Sequence, residues 1–255
     1  MIKFFLFISC SLPLLVFANI IDVGQGYPHP TIQAALIEAR NGDQIRIHPG
    51  KYNEYDLVIG VPLTITGIGW PVIDGMSKGE IMSIKSDSVL VSGIVLRNKG
   101  RSSTKDFAAV RVYSASHVNI SGNRVEDAFF GIYLENSSRC VIHDNQVQSS
   151  VMTEQMLGNG IHCWKCDSLE IDCNTLSNHR DGIYFEFVTN SSIRSNYSFS
   201  NMRYGLHFMF SHNDVYEGNV FESNGAGVAV MYTKEVKMIS NQFVENWGAS
   251  SYGLL

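Results

Sequence analysis

Three side chains late in the chain have the types that bind a soft monovalent ion. His207, Met209 and Met231 offer one imidazole and two thioethers, a donor set suited to Cu(I). His207 and Met209 stand two apart in RYGLHFMFSH (203–212), the spacing that puts both on one face of a strand. Met231 holds the matching place 22 residues on, in NGAGVAVMYT (224–233). Met202 and His212 flank the first strand, and His162 sits at the corresponding position two repeats earlier, so these three are outer candidates. The expected ion is copper, bound transiently at an open site. Flexible thioethers equally suit an adaptable protein interface, and both readings stay open for this patch.

Other reactive types are less suggestive. His162-Cys163-Trp164-Lys165-Cys166 contains a CxxC, but strand alternation sends Cys163 inward and His162 outward, so a shared ion is not expected. A disulfide among Cys140, Cys163, Cys166 and Cys173 is left open, since pairing depends on Cα distances. Glu135 and Glu186 share an outward column two repeats apart with Trp164 between them, roughly 10 Å from repeat spacing. That fits an inverting glycosidase pair poorly, and no aspartate cluster joins them, so no catalytic residue is expected. Arg180 and Asp181 match Arg203 and Tyr204 just ahead of their repeats. They form a corner ion pair or, with Glu186, a surface for a partner.

The elements that must position these residues follow from an internal repeat. Gly79, Ala109, Gly131, Gly160, Gly182, Gly205 and Gly227 each open an apolar alternation, with Gly or Asn fourteen residues later. The openings are 30, 22, 29, 22, 23 and 22 residues apart, so a coil of about 22 residues recurs with insertions near 99–107 and 149–158. The first and third residues after each opening are apolar, as in Ile183 and Phe185 or Leu206 and Phe208, which marks a strand with one buried face. The second and fourth must then point out: Tyr133, His162, Tyr184, His207 and Ala229, then Glu135, Trp164, Glu186, Met209 and Met231. Three short strands per coil make an all-β, right-handed parallel β-helix with three sheets. Asn123, Asn145, Asn174, Asn196, Asn219 and Asn241 are expected to stack inside one corner. The segment TIQAALIEAR (31–40) has helical spacing and would cap the first coil.

The opening IQAAL…GDQIRIHPGKY with later GIYFE…N coils resembles the pectate-lyase-like β-helices of the carbohydrate-binding and sugar-hydrolase class. RDGIYFEF (180–187), RYGLHFMFSH and NGAGVAVMYT together resemble the NosD family of periplasmic maturation factors for nitrous oxide reductase. That resemblance implies a periplasmic accessory protein for assembly of a copper centre. Its implied partners are an ABC transporter ATPase and membrane subunit, a copper chaperone and the reductase itself. The competing class is a polysaccharide-binding or polysaccharide-degrading β-helix, with Tyr133, Trp164 and Tyr184 as glycan contacts. NosD proteins are usually longer, so further coils past Leu255 are expected.

Composition is consistent with one exported body. Of 255 residues, 45% are hydrophobic and 17% charged, ordinary for a folded domain. Residues 1–18 read as a cleaved signal peptide: Lys3, an apolar run broken by Pro13, then Ala18. Residues 19–255 are then a single β-helix domain in the periplasm. Loss of Lys3 takes the formal charge from −5 to −6, and no basic cluster follows, so nucleic acid is not an expected ligand. Membrane contact is expected only through a partner.

Overall fold

In the computed structural model the described residues are 18–100, 105–150, 157–248 and 253–255. The signal-peptide segment, the centres of both insertions and most of the last opening lie outside them. The described chain winds as a right-handed parallel β-solenoid whose strands fall into three sheets of ten, eight and nine members, all pairs parallel. Each coil gives one strand to each sheet, so strands join to the coil before and the coil after. The eight-membered sheet carries the longest strands, including Phe130–Glu135, Asp181–Glu186, Tyr204–Met209 and Ala226–Met231. Its register aligns the repeats as their spacing predicts: Ile183 pairs with Leu206, and Leu206 with Val228.

The interior is a stack of like on like. Leu134, Cys163, Phe185 and Phe208 follow one another inward, all fully buried. The opening glycines are required by the close approach of adjacent coils at this bend. A Cβ on Gly182 would lie 2.7 Å from the Gly205 carbonyl oxygen, and one on Gly205 would lie 2.8 Å from that of Gly227. The helix forms over Ile32–Glu38, shorter than the periodic segment, with Thr31 as N-cap and the Glu54 carboxylate receiving the Ile32 and Gln33 amides. It covers the first coils through Ile32 and Ala35, and a strand, Ile20–Val23, already precedes it.

Polar groups enter this interior where they can bond to their own kind. The Asn174 side chain accepts the Asn145 amide N–H at 3.0 Å and its Nδ2 at 3.0 Å, and donates to the Ile142 carbonyl at 2.8 Å and to Asn196 Oδ1 at 3.0 Å. The pattern runs from Asn123 through Asn241, with the first five side chains buried and Asn241 half-buried. A second ladder, which the repeat alignment does not reveal, runs through Asn201, Asn224 and Asn246, with His179 at its head donating a backbone N–H to Asn201 Oδ1. Both nitrogens of the His179 ring are buried without a hydrogen-bond partner, and burial pushes the ring down to about 4. Asp214 accepts the Ser191 amide through Oδ1 while Oδ2 is unpartnered, and burial raises this acid to about 7.

The thiols behave as corner hydroxyls. Cys166 donates to the Leu134 and Trp164 carbonyls, and Cys140 to those of Ala115 and Ser138, much as Ser137 donates to Glu135. All four cysteines from Cys140 on are free, and burial raises Cys140 to about 11 and Cys166 to about 12. The buried thiols of Cys140 and Cys166 are therefore protonated and unreactive.

Two predictions test these interior bonds. Asn174→Ala orphans buried groups on two neighbouring coils, so a urea melt should show a loss on the order of 3 kcal/mol; a change within about 0.5 kcal/mol would contradict the ladder's role. The Asp214 carboxyl keeps its proton in the fold to about pH 7, whereas the unfolded chain releases it near its ordinary 3.8, so its contribution is full below pH 3.8 and fades as pH rises through 7. Asp214→Asn should therefore exceed the wild type at pH 8 by on the order of a few kcal/mol and lose that advantage at pH 4. Equal differences at the two pH values would contradict burial of the acid.

Candidate functional site

The outer face of the eight-membered sheet gathers most of the chemistry. One column runs Ser83, Arg111, Tyr133, His162, Tyr184, His207, Ala229, and beside it runs Tyr113, Glu135, Trp164, Glu186, Met209, Met231, each in register from coil to coil. Strand alternation gives the direction of these side chains correctly, but the expectation that the face lies open to solvent is corrected. Tyr133, His162, His207 and Ala229 are buried, and Tyr184 with the whole second column from Glu135 to Met231 is half-buried. The physical reason is ring packing between coils. Successive ring centroids from Tyr133 to His162, Tyr184 and His207 lie 4.3, 4.9 and 4.8 Å apart, and Ala108, Phe130 and Tyr133 form a small second core with Phe129 and Trp164. The described ends of the second insertion, Leu157 and Asn159, are buried too.

His207 is held rather than free. Its Nδ1 faces Asp181 Oδ2 at 3.4 Å, while Asp181 Oδ1 accepts the Tyr204 amide at 3.3 Å. The Asp181 side chain is wholly buried and the His207 side chain only 3% exposed. Tyr184 and Tyr204 set their rings edge-on to the imidazole, each at 4.8 Å. His207 Nε2 is buried and has no hydrogen-bond partner. His162 differs: Asn159 Nδ2 meets its Nδ1 at 3.0 Å, and burial, with Arg180 and Arg111, pushes the ring down to about 3.

Met209 and Met231 are register partners, one coil or about 4.8 Å apart, and His207 precedes Met209 by two on the same face. The structure does not bring the outer candidates into this group. Met202 and His212 sit beyond opposite ends of the strand Tyr204–Met209; Met202 is exposed beside a cavity of about 460 Å³, and His212 Nδ1 accepts the Lys234 amide at 3.1 Å. Among the described residues no group of three His, Cys, Asp or Glu side chains could hold a metal ion, so an ion here would rest on the imidazole and the thioethers.

At the corner, Asp181 turns to His207 and the Tyr204 amide, while the Arg203 guanidinium lies 4.9 Å from the Tyr204 ring and its backbone N–H bonds the Arg180 carbonyl. Glu186 stands in line between Trp164 and Met209. Glu135 is engaged by Arg111 at 2.7 Å, and Arg111 is sandwiched by Tyr113 and Tyr133 at 4.9 and 4.0 Å. Just past the strand ends, Phe187, Phe210 and Tyr232 stack nearly parallel with centroids 5.3 and 4.9 Å apart, exposed and each at positive φ.

The Asp181–His207 pair is not among the contacts expected from the sequence, although register makes it readable: Asp181 precedes Tyr184 by three, and Tyr184 neighbours His207.

Fold and face define a right-handed parallel β-helix protein with an imidazole and thioether group on its long-strand sheet. The comparisons agree at the level of fold. The A-module of an Azotobacter vinelandii mannuronan C-5 epimerase, AlgE6, superposes with a TM-score of 0.66 at 15% identity, covering 88% of this chain and 74% of that one. Pectate lyase Pel9A gives 0.52 at 13% identity over 91% and 81%. Residues 73–176 match the right-handed β-helix region model, and residues 148–255 match the model described as "Periplasmic copper-binding protein (NosD)". A protein of Pseudomonas aeruginosa named "Probable ABC transporter binding protein NosD" is 32% identical over 129 residues, 50% of this chain and 30% of that one. Its namesake from Stutzerimonas stutzeri is 27% identical over 139 residues, 54% and 32%. Over residues 148–255 the chain is thus similar to NosD proteins, and it spans about a third of the length of the curated relatives it matches.

Proposed function

We propose that the chain is a periplasmic, non-catalytic accessory factor in maturation of the copper centre of nitrous oxide reductase. It works beside an ABC transporter and a copper chaperone, as a carrier of copper or a sulfur species or as a docking platform. The observation that carries the copper reading is the register pair Met209 and Met231 beside His207, whose Nε2 is buried and unpartnered. An imidazole nitrogen and thioethers favour Cu(I) over harder ions, and neutral ligands with partial exposure suit cargo that must leave again. Support for the setting comes from the NosD match across the coils that bear these residues and from the relatives' names. Among the described residues no helix is long and apolar enough to cross a membrane. Arg180, Glu186, Arg203 and Tyr204 border the same face, half-buried, and would meet a protein partner there, whereas Asp181, expected from the sequence to join them, is wholly buried and cannot.

Purified protein should bind Cu(I) weakly in competition with a chromophoric chelator. Met209→Leu/Met231→Leu should lose that binding while its melt stays near wild type, since Leu matches Met in volume. Full affinity in the double variant, together with normal reductase maturation in cells, would reduce the patch to plain surface. Saturable binding of alginate or pectin with no effect of Cu(I) would favour the polysaccharide reading instead.

A further inference from the structure

We infer that Asp181 is the positioning residue of this face: it fixes the tautomer of His207 and leaves the Nε2 lone pair as the nitrogen that meets a soft electron-pair acceptor. The inference rests on the copper reading for its ligand, and on geometry alone for the tautomer. Asp181 Oδ1 is occupied by the Tyr204 amide, so Oδ2 is the oxygen left to face His207 Nδ1. A carboxylate oxygen accepts; the imidazole must therefore carry its proton on Nδ1. Nε2 is then a bare acceptor, and it is the ring atom with no partner in the structure.

The pairing is well fixed on every side. Asp181 is fully buried on a strand paired in register on both sides, and Tyr184 and Tyr204 pack the imidazole so that rotation about χ2 would break two ring contacts. His162, in the same column but two coils earlier, has the opposite arrangement. Its Nδ1 receives an amide N–H from Asn159, so its proton lies on Nε2 and its lone pair is already used. Of the two buried imidazoles in this column, His207 is the one whose unprotonated nitrogen carries no hydrogen bond. A carboxylate behind a histidine also raises its basicity, the usual support for a metal-ligating imidazole.

The test uses the mature chain labelled with 15N-histidine. Long-range 1H–15N correlation of the metal-free protein should show His207 protonated at Nδ1 and bare at Nε2. Asp181→Asn offers an amide that can donate to Nδ1, so the proton should move towards Nε2 and Cu(I) affinity should fall about ten- to a hundred-fold. In a His207→Ala background, Asp181→Asn should have no further effect on affinity, whereas a merely structural role would lower it in both backgrounds. The wild-type spectrum requires no variant, so the tautomer is decided even where a variant folds poorly. A wild-type chain that takes up no Cu(I) contradicts the copper reading. Copper binding left unchanged by Asp181→Asn, or a wild-type His207 protonated at Nε2, overturns the inference about Asp181 by itself.

Discussion

In a parallel β-helix each residue is placed about one strand spacing above its counterpart in the neighbouring coil, so every position must tolerate a copy of itself or a close substitute. Asparagine meets that condition inside because its amide both donates and accepts. Asn145, Asn174 and Asn196 each pass one bond forward and receive one from behind, and the backbone uses the remainder. An acid at such a place cannot do the same. Asp214 accepts from Ser191 through Oδ1 but finds no partner for Oδ2, and burial raises it to about 7. Glycine meets the condition where backbones converge, which is why Gly182, Gly205 and Gly227 recur as the second residue of the long strands.

The same rule shapes the outside. Rings placed over rings exclude water, so a column of outward aromatics and imidazoles becomes a secondary core. At the end of that column the sequence changes from tyrosine to histidine and alanine, and in the adjacent column from glutamate to two methionines. Charge gives way to soft, neutral donors over the last coils of the sheet. Asp181 is buried at the edge of this change, where it acts on the imidazole rather than on solvent.

Much of the architecture is legible in the amino-acid sequence. The glycine and asparagine spacing reveals the coil length, and alternation assigns inward and outward residues correctly, Cys163 against Leu134 and Phe185 included. Alternation reports direction, though, and not coverage; it does not show that His162 and His207 are buried by their neighbours. The second asparagine ladder is easily missed because only three coils carry it, each time nineteen residues after Gly182, Gly205 or Gly227, with His179 in that place one coil earlier. The Asp181–His207 contact crosses one coil and three residues, a relation visible only once the register of the long strands is fixed. Arg180 and Asp181 suggest an ion pair by adjacency, yet the buried carboxylate turns along the sheet to the imidazole instead.

The claim on which the functional account turns is that one imidazole and two thioethers on adjacent coils are the donors. X-ray absorption at the copper edge of the Cu(I)-loaded chain tests it most directly. The account predicts a cuprous edge with one imidazole nitrogen and two neutral sulfur scatterers, and loss of the imidazole signal in His207→Ala. A shell of nitrogen and oxygen alone, or short thiolate sulfur from the buried cysteines, would contradict it.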